Sequence, residues 1–403
     1  MTDGSDQTTE STDAADDDAT TGIVVRVAPS LSEIDPVAWD ACAAPDPATR
    51  NPFVTHAFLK ALEDAQTVTA RTGWLPHHLL LEIDGELAAC APAYLKSHSQ
   101  GEYVFDYGWA DAYERAGGDY YPKLQIAVPF TPVPGPRLMT RPGPDAARNH
   151  DYLAAGAVEL ARKQGLSSVH LTFLDKQSWD SLGEIGFLQR TDQQFHWRND
   201  GYASFDDFLA ALASRKRKAV RKERVQALEA GLKIEWLRGA DVTEAHWDAF
   251  YTFYMETGSR KWGRPYLNRP FFSLLHAAMP DDCLLIMVKR DGDYIGGALN
   301  MIGGDCLYGR YWGAIEHHPC LHFEVCYYQA IDFAIEHGLD RVEAGAQGDH
   351  KLARGYMPTP TYSAHWIADG NFRAAVADYL ERERAHVDDA IEALATYAPF
   401  KKG

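Results

Sequence analysis

The sequence predicts a mixed α/β protein made of two similar domains, and three observations predict it. The chain has 403 residues, more than one typical domain of roughly 100–200 residues accommodates. Each half contains a strand, an Asp-Gly turn and a second strand: "HHLLLEIDGELAACAPAYLK" (77–96) and "CLLIMVKRDGDYIGGALNMI" (283–302). Asp-Gly between two apolar runs is a strong short-range hairpin signal, because both turn positions need positive φ. Each half then closes with an amphipathic helix, a glycine and an apolar strand: "YLAAGAVELARKQGLSSVHLTFL" (152–174) and "CYYQAIDFAIEHGLDRVEAG" (326–345). Gly165 and Gly338 stand where a helix ends in a left-handed residue.

The elements follow in order. Residues 1–22 carry seven acidic side chains (Asp3, Asp6, Glu10, Asp13, Asp16, Asp17 and Asp18), no basic one, and many Ser and Thr. Such a composition cannot bury a core, so a disordered tail is expected there. It lacks the basic and apolar regions of a signal peptide. Helix-like segments opened by Pro and Phe precede the two hairpins, "NPFVTHAFLKALEDA" (51–65) and "NRPFFSLLHAAM" (268–279). The first domain is read over 23–199, with a junction near Asp200, and the second over 200–403. A basic helix is expected over 208–230, and the charged amphipathic stretch 371–397 reads as a C-terminal helix.

Composition excludes several classes. The net charge is −18, which argues against a general nucleic-acid coat. The exception is local: Arg215, Lys216, Arg217, Lys218, Arg221, Lys222 and Arg224 crowd the basic helix, a solvated face or a site for tRNA phosphates. No apolar run approaches the ~18 residues of a membrane span. Six scattered cysteines fit reduced thiols and a cytoplasmic location.

The segment densest in chemistry is "YGRYWGAIEHHPCLHFEVCYYQ" (308–329). His318, His322, Glu316, Glu324, Cys320 and Cys326 could form a zinc shell, but Pro319 favours a helix start just here and so unstacks the two histidines. Cys320 or Cys326 beside His322 could form a thiol–imidazole pair, although free cysteine is usually a small core residue. "SRKWGRPYLNRPF" (259–271) interleaves Arg260, Lys261 and Arg264 with Trp262 and Tyr266, a pattern suited to phosphate or carboxylate and to stacking.

"LHFEVCYYQAIDFAIEHGLDRVEAGAQG" (321–348) resembles the second domain of the Fem family of peptidyltransferases. So does the Arg/Lys-rich helix that precedes a glycine and an apolar strand. Over about residues 23–395 the chain resembles FemAB-like proteins of peptidoglycan biosynthesis/recognition, most closely at "RKWGRPYLNRPFF", "YGRYWGA", "LHFE" and "GAQGDHKLARGY". The resemblance implies tandem GNAT-like domains and an N-acyltransferase that joins an activated acyl or aminoacyl donor to an amine. The donor would be a co-substrate, acyl-CoA or aminoacyl-tRNA, with no bound metal or cofactor. The usual pyrophosphate-binding run of CoA-dependent members is missing, which favours the aminoacyl donor.

On that reading "LYGRYWGA" is a strand whose end, with Arg310, Tyr311 and Trp312, lines a cleft. The helix N-terminus near Leu321 then faces an anionic group. Glu316, His322 and Glu324 stand where an amine loses its proton. By resemblance Lys351 stabilises the oxyanion, with Gly345, Gln347, Gly348, His350 and Arg354 around it. A first-domain aspartate, Asp106 or Asp111 in "FDYGWADAY" (105–113), would shuttle a proton. That segment is expected to match "YGRYWGAIE" in the repeat. A non-catalytic binder of cell-wall precursors or another anionic ligand is the alternative.

Overall fold

The computed structural model describes residues 22–229, 231–261, 265–345 and 348–401; the acidic tail lies outside them. Fifteen strands are described, in two sheets. In the first half they are β1 (Ile23–Ala28), β2 (Trp74–Pro76), β3 (His78–Ile83), β4 (Glu86–Ala91), β5 (Ala93–Lys96), β6 (Lys123–Ile126), β7 (Met139–Thr140), β8 (Ser168–Leu174) and β9 (Leu188–Arg198). In the second half they are β10 (Lys233–Arg238), β11 (Cys283–Arg290), β12 (Asp293–Ile302), β13 (Cys306–Ala314), β14 (Arg341–Glu343) and β15 (Met357–Ile367).

Both Asp-Gly hairpins form. Asp84 and Gly85 join β3 to β4 and Asp291 and Gly292 join β11 to β12, all four at positive φ. The first hairpin is divided, however. Pro92 has no N–H for a ladder and separates β4 from β5, so β3 and β4 belong to a four-stranded sheet, β1-β3-β4-β7, and β5 to the large one.

The large sheet has the order β10-β11-β12-β13-β14-β9-β15-β8-β6-β5-β2. It contains two parallel pairs, β13 with β14 and β6 with β8, one in each half. Between them lie β9 and β15, antiparallel to each other. The last strand of each half is exchanged: β9 pairs with β14, and β15 with β8. A cut near Asp200 therefore divides the sequence repeat but not the sheet. Pro358 and Pro360 are tolerated in β15 because β8 joins that strand only from Tyr362 onward, leaving one edge free where the prolines stand.

The core is continuous across the halves. Trp39, Phe53 and Phe58 pack in one cluster with Trp247, Phe250, Phe271 and Tyr308. The two segments opened by Pro and Phe meet there. Helix His56–Asp64 lies on helix Arg269–Ala278, and Phe58 meets Phe271 edge-on at 6.0 Å. Thr55 and Asn268 cap these helices, each supplying an oxygen to an otherwise unpaired amide.

Two expectations are corrected. The basic helix is not continuous over 208–230. Leu212 is extended and bridges Phe400, so the chain forms Phe205–Ala211 and then Ser214–Leu228. "FDYGWADAY" is not the counterpart of "YGRYWGAIE": it forms helix Tyr107–Arg115, and β6 takes the strand position matching β13. Its aromatic residues fit helical spacing as well as a strand, and only the sheet order decides. The C-terminal helix spans Gly370–Ala395. Among the described residues no helix is long and apolar enough to cross a membrane.

Candidate active site

The site begins where β13 and β14 part. They pair from Cys306 and Arg341 to Tyr308 and Glu343, after which β14 ends and β13 runs on to Ala314. In the next ladder Leu299 faces Tyr311 and Asn300 faces Gly309, so Arg310 is the extra residue of a β-bulge. A bulge re-aims the side chain at that position. The Arg310 guanidinium donates to the carbonyl oxygens of Gly309 and Glu343 at 2.9 and 3.4 Å and lies 3.4 Å from the Glu343 carboxylate. Its Nε and both polar atoms of the neighbouring Asn300 carboxamide are buried without a protein partner among the described residues.

Arg310 lines an inner cavity of about 260 Å³. Tyr103 from the first half forms one wall; Tyr254, Tyr266, Tyr311, Trp312 and His322 form the others. The Tyr311 hydroxyl donates to Phe130 O at 3.1 Å, tying the halves together at this point. Two bays adjoin the inner cavity. An outer bay of about 410 Å³ shares Thr257, Trp312 and His322 with it and is rimmed by Glu316, His317, His318 and Cys320. A second bay, about 650 Å³, shares Pro265 and Tyr266 and runs past Trp74, His98, Gln100 and Arg71. Tyr266 stacks on Phe130 at 5.0 Å and divides it from the inner cavity. Another cavity of about 660 Å³ lies around His150 and Asp175 and holds none of the expected residues.

Lys351 is 2% exposed and donates to Gly345 O at 2.9 Å. It lies close enough to Arg310 to feel its charge and is not in the lining of the four cavities above. Burial, reinforced by the Arg310 charge, pulls its ammonium down to about 7; both effects disfavour the charged form. Gly345 and Gly348, before it in the chain, are both at positive φ. His322 packs against Trp312 and Tyr327, with centroids 5.6 and 5.3 Å away. The helical run from Leu321 includes a π turn, Glu324–Tyr328, a distortion frequent at functional sites.

Other expected residues are placed differently. Glu324 is fully buried and faces helix Ser214–Leu228, where Arg224 donates to it at 3.0 Å; Gln329 donates at 2.7 Å. Burial raises its carboxyl and Arg224 opposes the rise. Both its oxygens are committed, so it braces two helices and does not face the cleft. Arg354 is likewise committed, to Glu223 at 2.9 Å and to His350 O at 2.7 Å, with its guanidinium 3.5 Å from the Phe323 ring centre. His350 Nε2 lies 2.9 Å from the Tyr327 hydroxyl. Glu316 does rim the outer bay, 2.7 Å from Arg290 and 2.8 Å from His318. The side chain of Arg260, together with Trp262 and Gln347, lies outside the described residues.

Asp106 is not in the cleft. It is buried with Lys123 at 2.5 Å and the Tyr120 hydroxyl at 2.7 Å. Burial alone would raise its carboxyl, but Lys123 holds it well below the usual range. Lys123 also binds Glu102 at 2.8 Å and Ser99 at 2.9 Å. This cluster anchors residues 97–106, whose other side supplies Tyr103, His98 and Gln100 to the cavities. Among the described residues no three metal-ligating side chains converge. Cys320 has its thiol raised, first by burial, the opposite of what a nucleophile needs. Sequence reasoning missed Asn300, Tyr103 and the bulge; the bulge leaves no signal in a continuous strand pattern.

A splayed parallel pair with a bulge on one strand and a helix start in the gap, present beside a second half of the same plan, is the tandem GNAT-like arrangement. The FemAB-like family model, described as peptidoglycan biosynthesis/recognition, matches residues 30–402. The chain belongs to the FemAB-like family. No curated protein matches its sequence. Among solved structures it is similar to FemX, at 15% identity and TM-score 0.53, covering 85% of this chain and 98% of that one. It is also similar to the C-terminal domain of a putative lysylphosphatidylglycerol synthetase from Agrobacterium fabrum, at 12% identity and TM-score 0.51, covering 87% and 96%. A conserved protein of unknown function from Bacteroides thetaiotaomicron gives 10% identity and TM-score 0.51, covering 86% and 100%. At these identities the likeness concerns the fold.

Proposed function

We propose that this FemAB-like protein is an N-acyltransferase that forms an amide bond between an activated acyl or aminoacyl group and an amine, in the cleft between its halves. The observation that carries the proposal is the cavity where β13 and β14 part, walled by residues of both halves, with the bulged Arg310 in its lining. The family's description, peptidoglycan biosynthesis/recognition, supports a peptidoglycan precursor as the amine acceptor. The donor arrives as co-substrate, acyl-CoA or aminoacyl-tRNA.

Attack of the amine on the acyl carbonyl builds negative charge on oxygen, which preorganised cations stabilise; collapse of the intermediate forms the amide and expels the donor's leaving group, the CoA thiol or the tRNA ribose hydroxyl. Arg310 stands in the cavity wall, and protonated Lys351, close enough to feel its charge, adds its own. The two bays hold the reactants in line, and this positioning lowers the barrier further. The outer bay carries the His318–Glu316 pair, and His322 lines both that bay and the inner cavity; an imidazole at either place can take the amine proton.

The test is turnover with CoA thioesters and aminoacyl-tRNA against cell-wall precursors bearing a free amine. Arg310→Gln is expected to cut turnover about 10²–10³-fold. Wild-type rates in that variant overturn the role of Arg310. Thermal stabilisation by a precursor, with no donor consumed, would instead mark a binding protein.

A further inference from the structure

Helix Ser214–Leu228 has two faces with different tasks. Its inner face braces the site: Arg224 holds Glu324, and Glu223 accepts from Arg354 and from the Tyr328 hydroxyl. Val220 and Ala227 anchor it to the core. At 100° per residue, the opposite face is centred on Lys218 and Val225. Around them lie Lys222, Arg215, Arg221 and Leu228, all exposed. Val225 is 65% and Leu228 39% exposed. The outward stripe therefore joins four cations to two bare aliphatic side chains, on a chain of net charge −18. Arg221 pairs with Asp206 at 3.2 Å, and the exposed Glu229 caps the helix on the same side; Lys218 and Lys222 have no ion pair among the described residues.

We propose that this face docks the protein on an anionic lipid surface. Charge complementarity selects an anionic partner. The exposed Val225 and Leu228 select a bilayer over a nucleic acid, since phosphate backbones offer aliphatic side chains nothing and the stripe has no aromatic ring to stack on a base. A basic helix with an apolar component on its outward side lies in the headgroup region, and each nearby Lys or Arg strengthens attachment. Docking here has a consequence for the site. Gln226 on this helix lies 3.6 Å from the Cys320 sulfur at the rim of the outer bay, so a docked protein holds that bay beside the membrane surface.

Flotation of the full chain with vesicles tests the proposal, using phosphatidylglycerol mixed with phosphatidylcholine, phosphatidylcholine alone, and a separate titration with bulk tRNA. The wild type is expected to float with the anionic vesicles only, and to be released by added salt. Lys218→Gln with Lys222→Gln should weaken vesicle binding about 5-fold per charge removed. Val225→Ser with Leu228→Ser should weaken vesicle binding and leave any tRNA binding unchanged. Unaltered melting temperatures establish that the exposed substitutions leave the fold intact. Absence of flotation with anionic vesicles overturns the proposal, as does flotation that neither pair of substitutions reduces, or binding to tRNA in preference to lipid. None of these readouts depends on turnover.

Discussion

Replacing Lys351 with Met should make the protein more stable and less active, and the gain in stability should depend on pH. The lysine is 2% exposed, and its pKa falls from an ordinary 10.5 to about 7. At 1.36 kcal/mol per unit, burying the charged ammonium costs on the order of 5 kcal/mol wherever it is charged in both folded and unfolded chains, that is, below pH 7. Between pH 7 and 10.5 the unfolded chain binds a proton that the folded one does not, so this group makes wild-type stability rise with pH. Methionine fills a similar volume and carries no such cost. Denaturant unfolding of both proteins at pH 6 and pH 9 is the assay. The stabilisation by Lys351→Met should shrink by about 3 kcal/mol between those values, two units of the window. Lost packing or the lost bond to Gly345 O shifts both values equally and cancels in the difference. A stability difference that does not change with pH would refute the buried, charge-strained lysine. Turnover should fall about 10²-fold in the same variant, and in the wild type kcat/KM should decline as pH rises through about 7, a limb the variant lacks.

Lys123→Met should be severely destabilising, because it leaves Asp106 and Glu102 buried without their shared cation; about 3–5 kcal/mol is expected, read as a fall in melting temperature. The same change should raise KM through the loosened Tyr103 wall. Glu324→Gln should lower stability by about 1–2 kcal/mol, discounted because Arg224 is partly exposed, while kcat of the folded protein stays within a few-fold; a 10²-fold loss of kcat would restore Glu324 as a catalytic base.

Much of the architecture was legible in local pattern. The Asp-Gly pairs fix two hairpins because few residues other than Gly, Asn and Asp tolerate positive φ, and Gly165 and Gly338 end two helices for the same reason. Pro319 correctly signalled that the chain turns before Leu321. What local pattern determines is each element and the chemistry each can carry. It left open which surfaces the elements share. Glu324 and Glu316 are both carboxylates near one helix start, yet one faces Arg224 in the interior and the other rims the bay, a difference set by which helix packs against that face. Asp106 reads as a cleft residue until Lys123 arrives from another strand to neutralise it.

By itself the sequence determined a twofold α/β plan with its hairpins and caps, since these rest on backbone preferences of neighbouring residues. Only the tertiary structure decided the exchange of β9 and β15, the bulge at Arg310 and the burial that shifts Lys351. Each of these depends on contacts between residues far apart in the chain, and charge in a protein interior is governed by those contacts more than by residue type.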